Sequence, residues 1–233
     1  MTKNIPDLAE TAVQYRQAVA SENTKEAKNI IQEAGPTFAK SVEAYAYDKT
    51  DHNFYDFQPV RQFVEEMKEQ GIAEKMTVIH ALSKLDELEK PFHEGVDYKR
   101  DSRLDPIPLI PETSKFHMEL DPTNLLTITG QDEKGTETIS YKTRQGNDGQ
   151  VFEWINFRRY LGTPREEYHE YSTAGQPGKY NAKVNDDANS PGKAPNKVVA
   201  QIAQSMRALP KAYMASKESA GQVATLDTSR NGQ

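Results

Sequence analysis

Leu104-Asp105-Pro106-Ile107-Pro108-Leu109-Ile110-Pro111 is the stretch on which the reading of this chain turns. Three prolines in six positions remove amide donors and push their neighbours out of the α region, so the segment is an extended spacer. It has a Pro-x-x-Pro core, but no basic residue at the flank that an SH3 ligand needs, and it reads as a rigid connector. Before it, apolar residues recur at three- and four-residue steps. After it they alternate. The chain therefore passes from helices to strands at one place.

Working towards the N-terminus, Met76, Ile79, Leu82, Leu85 and Leu88 form an apolar stripe that Pro91 is expected to end. Pro59 opens a helix carrying Val60, Phe63, Val64 and Met67, closed by Gly71. Ile5, Leu8, Ala12, Tyr15 and Val19 mark a first helix. Ala27, Ile30, Ile31 and Ala34 mark a second, capped by Asn23 or Thr24 and expected to stop at Gly35-Pro36, with Phe38, Val42 and Tyr45 in a third. Such narrow stripes require partners, so these helices pack on one another or on a sheet.

Working towards the C-terminus, Phe116, Met118 and Leu120 alternate with polar residues up to the turn Asp121-Pro122-Thr123-Asn124. Residues 125–129, 136–142 and 150–160 give three more strands, separated by polar, glycine-containing links. These four predict an antiparallel meander. Residues 163–171 suggest a short helix, and residues 172–196, dense in Gly, Pro, Asn and Ser, a mobile loop. Val198, Val199, Ile202, Met206 and Leu209 then define an amphipathic helix, kinked or restarted by Pro210 and extended by Tyr213 towards Gly221. The resulting organisation is a helical region over 1–95, a proline-rich connector over 96–114, a sheet region over 115–171, the loop over 172–196, a C-terminal helix over 197–220 and a flexible tail over 221–233. Helices and strands are segregated, which gives an α+β class with a small antiparallel β-meander and argues against a doubly wound parallel sheet.

The chain has 233 residues and no cysteine, which excludes thiol nucleophiles, disulfides and thiolate metal sites. Its net charge of −6 is uneven: residues 1–192 carry 23 Lys+Arg and 33 Asp+Glu, a net of −10, whereas residues 193–233 carry 6 and 2, a net of +4. Acidity argues against bulk nucleic-acid binding, which needs clustered positive charge. No apolar run is long enough for a membrane span, and residues 1–7 show no secretory signal. The expectation is therefore a cytoplasmic protein, or one exported without a cleavable N-terminal signal.

Candidate chemistry is sparse. No Gly-x-Ser-x-Gly elbow, phosphate-cradling loop or zinc-protease spacing is present, so no cofactor is expected. His93 and Asp97 past a helix end, with His117 and Glu119 on one strand face, could converge on a divalent metal and support a metal-assisted hydrolase. The strand over 150–160 places Phe152, Trp154, Asn156, Arg158 and Tyr160 on one face, and Ile155 and Phe157 on the other with Glu153 and Arg159. Both faces are rich in apolar and aromatic side chains, which fits a strand covered on both sides. The competing reading joins Trp154, Arg158, Arg159, Tyr160 and Arg165 into an aromatic-basic patch for an anionic ligand, a phosphorylated partner or a nucleic-acid strand. The basic C-terminal helix either folds back on the acidic helices or offers Val198, Ile202 and Met206 to a partner's groove or a membrane surface. The leading expectation is a non-enzymatic interaction protein, an accessory, adaptor or effector-type factor whose partner is another protein. The metal-assisted hydrolase is the alternative.

Overall fold

Four helices, then seven strands, then one long helix follow one another along the chain, in an α+β arrangement. A computed structural model describes residues 7–47, 58–100, 107–112, 114–123, 125–145, 151–173, 179–184 and 194–230. The chain divides into two compact units, Met1–Pro91 and Phe92–Gln233. No helix among the described residues is long and apolar enough to cross a membrane.

The first unit contains α1 (Leu8–Ala20), α2 (Thr24–Tyr47), α3 (Gln58–Glu69) and most of α4 (Lys75–His93). Asp7 caps α1 by accepting the Glu10 amide (3.2 Å). Asn23 caps α2 by accepting the Glu26 amide (3.2 Å) while its own amide donates to the Glu26 carboxylate (2.7 Å). The helix expected to stop at Gly35-Pro36 instead runs through both residues to Tyr47. Two features permit this: Gly35 has no Cβ to collide with the proline ring, and buried Ile31, Ala34, Phe38 and Val42 hold both halves to one core. Pro91 likewise lies inside α4, two residues before its end. The core is completed by Tyr15, Phe63, Val64, Met67 and Leu85, and Arg61 ties α3 to α4 through Asp86 (2.8 Å) and Glu89 (2.9 Å).

The second unit is a seven-stranded antiparallel meander in sequential order, β1 (Val96–Lys99), β2 (Lys115–Leu120), β3 (Leu126–Gln131), β4 (Thr138–Gln145), β5 (Val151–Arg159), β6 (Glu167–Thr173) and β7 (Tyr180–Val184), followed by α5 (Asn196–Arg230). The four strands read from sequence are β2 to β5. Three others fall where a connector, a short helix and a loop were expected. Just before the supposed helix over 163–171, Tyr160 (φ 56°) and Gly162 (φ 74°) reverse the chain. His169, Tyr171 and Thr173 then alternate inward along β6, so the period of two prevails over the acidic, helix-like composition. The expected loop contains β7, whose Tyr180 points into the core. Residues 101–106, 146–150, 174–178 and 185–193, which include the start of the proline connector and two of the glycine turns, lie outside the described residues.

One face of the sheet is packed. Tyr98, Phe116, Met118, Ile128, Ile139, Tyr141, Ile155, Phe157 and Tyr171 are buried on it, as are Val199, Ile202, Ala203, Met206 and Leu209 of α5. The helix starts at the β6–β7 edge, where the Tyr171 hydroxyl accepts the Ala194 amide (2.8 Å). It passes β5 at Arg207, which pairs with Glu153 (3.1 Å), and reaches β1 where the Tyr213 and Tyr98 rings meet at 6.0 Å. From residue 196 to 213 it rises about 26 Å, close to the roughly 29 Å spanned by six inter-strand spacings, so α5 crosses the whole sheet. It continues as helix to Arg230, past Gly221 where its end was expected.

Close approach on this packed face fixes one glycine. A Cβ on Gly130 of β3 would lie 2.5 Å from Phe116 Cε1 and 2.7 Å from Ile139 Cγ2, so the Phe116 ring occupies the space a side chain would need. Gly130→Val is therefore expected to destabilise the second unit by about 1–3 kcal/mol or more, as in overpacked cores, read as a lowered urea midpoint at constant m-value.

Two aspartates shape the first hairpins. Asp121 Oδ1 accepts the Thr123 amide (2.8 Å), the Thr123 hydroxyl (2.8 Å) and the Leu125 amide (2.9 Å), whereas Asp132 accepts the Glu137 amide (2.9 Å) and the Thr136 hydroxyl (2.8 Å). Burial raises each pKa, but these donors outweigh it and hold both carboxyls below the ordinary aspartate range. With folded pKa values depressed, their stabilisation is present above the unfolded pKa and is lost as pH falls through the folded one. The thermal stability of the sheet unit should therefore fall progressively below about pH 4, and Asp121→Asn with Asp132→Asn should flatten that dependence.

Candidate functional site

The second face of the sheet carries most of the polar side chains of the strands, and strand register sorts them into rows. The first row crosses from β1 to β6 as Lys99, Lys115, Gln131, Thr138, Arg158 and Tyr168, each directly opposite the next. The second runs Asp97, His117, Thr129, Ser140, Asn156 and Glu170. The third runs Glu119, Thr127, Lys142, Trp154 and Ser172, with Arg144 opposite Phe152 beyond it. A concavity of about 880 Å³ lies over the first two rows.

Within that concavity the charges are unevenly matched. Asp97 Oδ1 lies 2.8 Å from His117 Nδ1, and the Tyr168 hydroxyl donates to Glu170 (2.8 Å), so each carboxylate of the second row has a partner. Burial, then the hydrogen bond to Glu170 and its charge, keep the Tyr168 hydroxyl above its ordinary pKa against the opposing pull of Arg158. It stays a neutral donor. Arg158 stacks over the Tyr168 ring at 5.4 Å. Lys99, Lys115 and Arg158 form no ion pair among the described residues.

The third row has a different character. Phe152 and Trp154 are half-buried and stack at 6.3 Å, with Lys142 opposite Trp154 and Arg144 opposite Phe152 on β4, both cations exposed. This is an aromatic shelf edged by positive charge.

The sequence-predicted residues are therefore separated. Trp154 and Arg158 share the polar face. Arg159 points to the other side, 3.5 Å from Glu137. Tyr160 has left the strand at the turn and is 41% exposed, and Arg165 is exposed in the same turn. The aromatic-basic character survives with different cations, Lys142 and Arg144, which sequence reading missed because it does not show which residues of β4 face β5. Ile202 and Met206 are 0% exposed, spent on the sheet's packed face, and Val198 is half-buried beside them. The basic helix, expected to fold back on the acidic helices, packs on the sheet instead, and the carboxylate its Arg207 meets is Glu153 of β5.

The four residues expected to gather a metal do not converge. Asp97 and His117 pair with each other, His93 turns Nδ1 to the Leu120 carbonyl (3.0 Å), and Glu119 sits one row away. Among the described residues no group of three or more His, Asp or Glu side chains is arranged to hold a metal ion. The Asp97–His117 pair could orient an imidazole for proton transfer, but among the described residues no hydroxyl hydrogen-bonds that ring. His169 is a core residue stacked on Phe157 at 4.8 Å. Compared with known proteins, the chain matches no family model, no curated protein and no solved structure.

Proposed function

We propose that this chain is a non-enzymatic binding protein, an adaptor or accessory factor, that docks another protein on the polar face of its sheet, at the shelf formed by Phe152 and Trp154. The observation that carries the reading is how the two faces are used. The apolar stripe of α5 is consumed in covering one face, whereas the other presents a stacked aromatic pair flanked by Lys142 and Arg144. Half-buried aromatics with an adjacent cation are the side chains that dominate binding energy at protein interfaces. The partner that fits is a protein segment with an apolar anchor between acidic residues, because cations at the rim of an otherwise acidic chain select for negative charge and steer encounter.

Charge reversal tests this reading. With the chain immobilised, Lys142→Glu plus Arg144→Glu should abolish capture of a specific partner from lysate of the source cells. Reversal of Lys197 and Lys217, exposed on α5, should leave it intact. Equal capture by both variants would refute the shelf as the binding surface.

A further inference from the structure

We infer that the concavity over the first two rows binds a phosphorylated sugar, free or as part of a nucleotide, at a site separate from the aromatic shelf. Its volume of about 880 Å³ falls within the roughly 300–1,000 Å³ typical of small-ligand sites. Charge then selects the ligand. The first row holds three cations and no carboxylate, although the chain as a whole carries −6. Lys99 and Lys115 stand directly opposite each other on adjacent strands, a cross-strand arrangement of like charges that destabilises a sheet unless an anion lies between them.

Arg158 sits three strands from Lys115, about 14 Å at the backbone, with only neutral Gln131 and Thr138 between. The long lysine side chains can lean inwards over that gap, and the Arg158 guanidinium, here stacked over the Tyr168 ring, has to swing towards them for the three to meet on one dianion. A planar fork with two ammonium groups suits the oxygens of a phosphate monoester better than it suits a single carboxylate. One residue pair along the strands, Thr129, Ser140 and Asn156 offer hydroxyl and amide groups to a polyhydroxyl body. Trp154 lies a row further on and Phe152 beyond it, both outside the residues that line this concavity.

Calorimetric titration of the full chain with adenosine 5′-monophosphate, ribose 5-phosphate, inorganic phosphate and adenosine tests the assignment. Adenosine monophosphate or ribose 5-phosphate is expected to bind more tightly than inorganic phosphate, adenosine not at all, and affinity should fall as salt rises. Whichever organophosphate binds more tightly identifies the source as a nucleotide or a free sugar phosphate. Lys115→Gln and Arg158→Gln should each weaken that binding about 10- to 100-fold, the usual effect of removing a charged hydrogen bond. Because Lys115→Gln also relieves the repulsion from Lys99, its melting temperature without ligand should be unchanged or higher, which separates lost binding from lost folding. The inference is overturned if neither organophosphate binds in the millimolar range. It is equally overturned if inorganic phosphate or adenosine matches the organophosphates, or if both variants bind as the unaltered chain does.

Discussion

Replacing Glu153 with alanine is expected to destabilise the sheet unit by about 3 kcal/mol. The Glu153 carboxylate lies on the packed face of β5, where it accepts the Tyr141 hydroxyl (2.6 Å) and the Tyr180 hydroxyl (3.0 Å) and pairs with Arg207 Nε (3.1 Å). It therefore joins β4, β7 and α5 through one buried group. Burial, then the Glu153 charge and hydrogen bond, push the Tyr180 hydroxyl well above its ordinary pKa, so it remains a donor throughout the accessible range. Removing one partner of a buried ion pair leaves the other uncompensated, at a cost of about 3–5 kcal/mol. Arg207 keeps 31% of its side-chain surface, which places the effect near the lower end, about 3 kcal/mol. Glu153→Gln retains the shape and an acceptor for one tyrosine, so about 1–2 kcal/mol is expected. Urea unfolding of both variants measures the difference. Equal losses would show that the charge contributes nothing.

Ending the chain at Pro195 should have a still larger effect, confined to one unit. Val199, Ile202, Ala203, Met206, Leu209 and Tyr213 are all buried, and fully burying a side chain of this kind is worth about 1.5–3 kcal/mol. Their loss is on the order of 10 kcal/mol, comparable with the whole stability of a domain, about 5–15 kcal/mol. The sheet unit should lose its cooperative transition. The Met1–Pro91 unit has its own core in Tyr15, Phe38, Phe63 and Leu85 and should keep it. Hydrogen exchange resolves the two: amides of α1 to α3 stay protected whereas those of β2 to β6 exchange freely. If the β2–β6 amides remain protected, α5 is an accessory to a sheet that stands without it. A free amphipathic helix used for a partner's groove would give that second result, so the same truncation distinguishes a structural α5 from a recruiting one.

How much of this was legible follows from which signals are local. The change of hydrophobic period across Pro106 to Pro111 marks the passage from helices to strands, although β1 already lies before it, and alternation within residues 150–160 assigns Trp154 and Arg158 to one face and Ile155 and Phe157 to the other. Glu153 also falls on that second face, a charge among apolar side chains, but the tyrosines and the α5 arginine that it joins come from distant parts of the chain and show only in the structure. What failed was tertiary in origin. Gly35-Pro36 has the composition of a helix stop, yet a shared core carries α2 through it. β6 begins with acidic residues and β1 and β7 are short, so each is a strand only because a neighbour supplies its hydrogen bonds. The rows were invisible for the same reason: Lys99, Lys115 and Arg158 are far apart in sequence, and only strand register sets them in line.

Because the chain contains no cysteine, a single introduced thiol reports its own surroundings without ambiguity. The most direct test of the claim that the polar face of the sheet is the binding surface compares a photo-crosslinker attached at Lys142→Cys, beside Trp154, with one at Gln204→Cys on the exposed side of α5, in lysate of the source cells. A discrete crosslinked protein is expected from position 142 that disappears when Trp154→Ala is added, and none from position 204. A discrete adduct from position 204 alone, or one from position 142 that persists without Trp154, would contradict that claim.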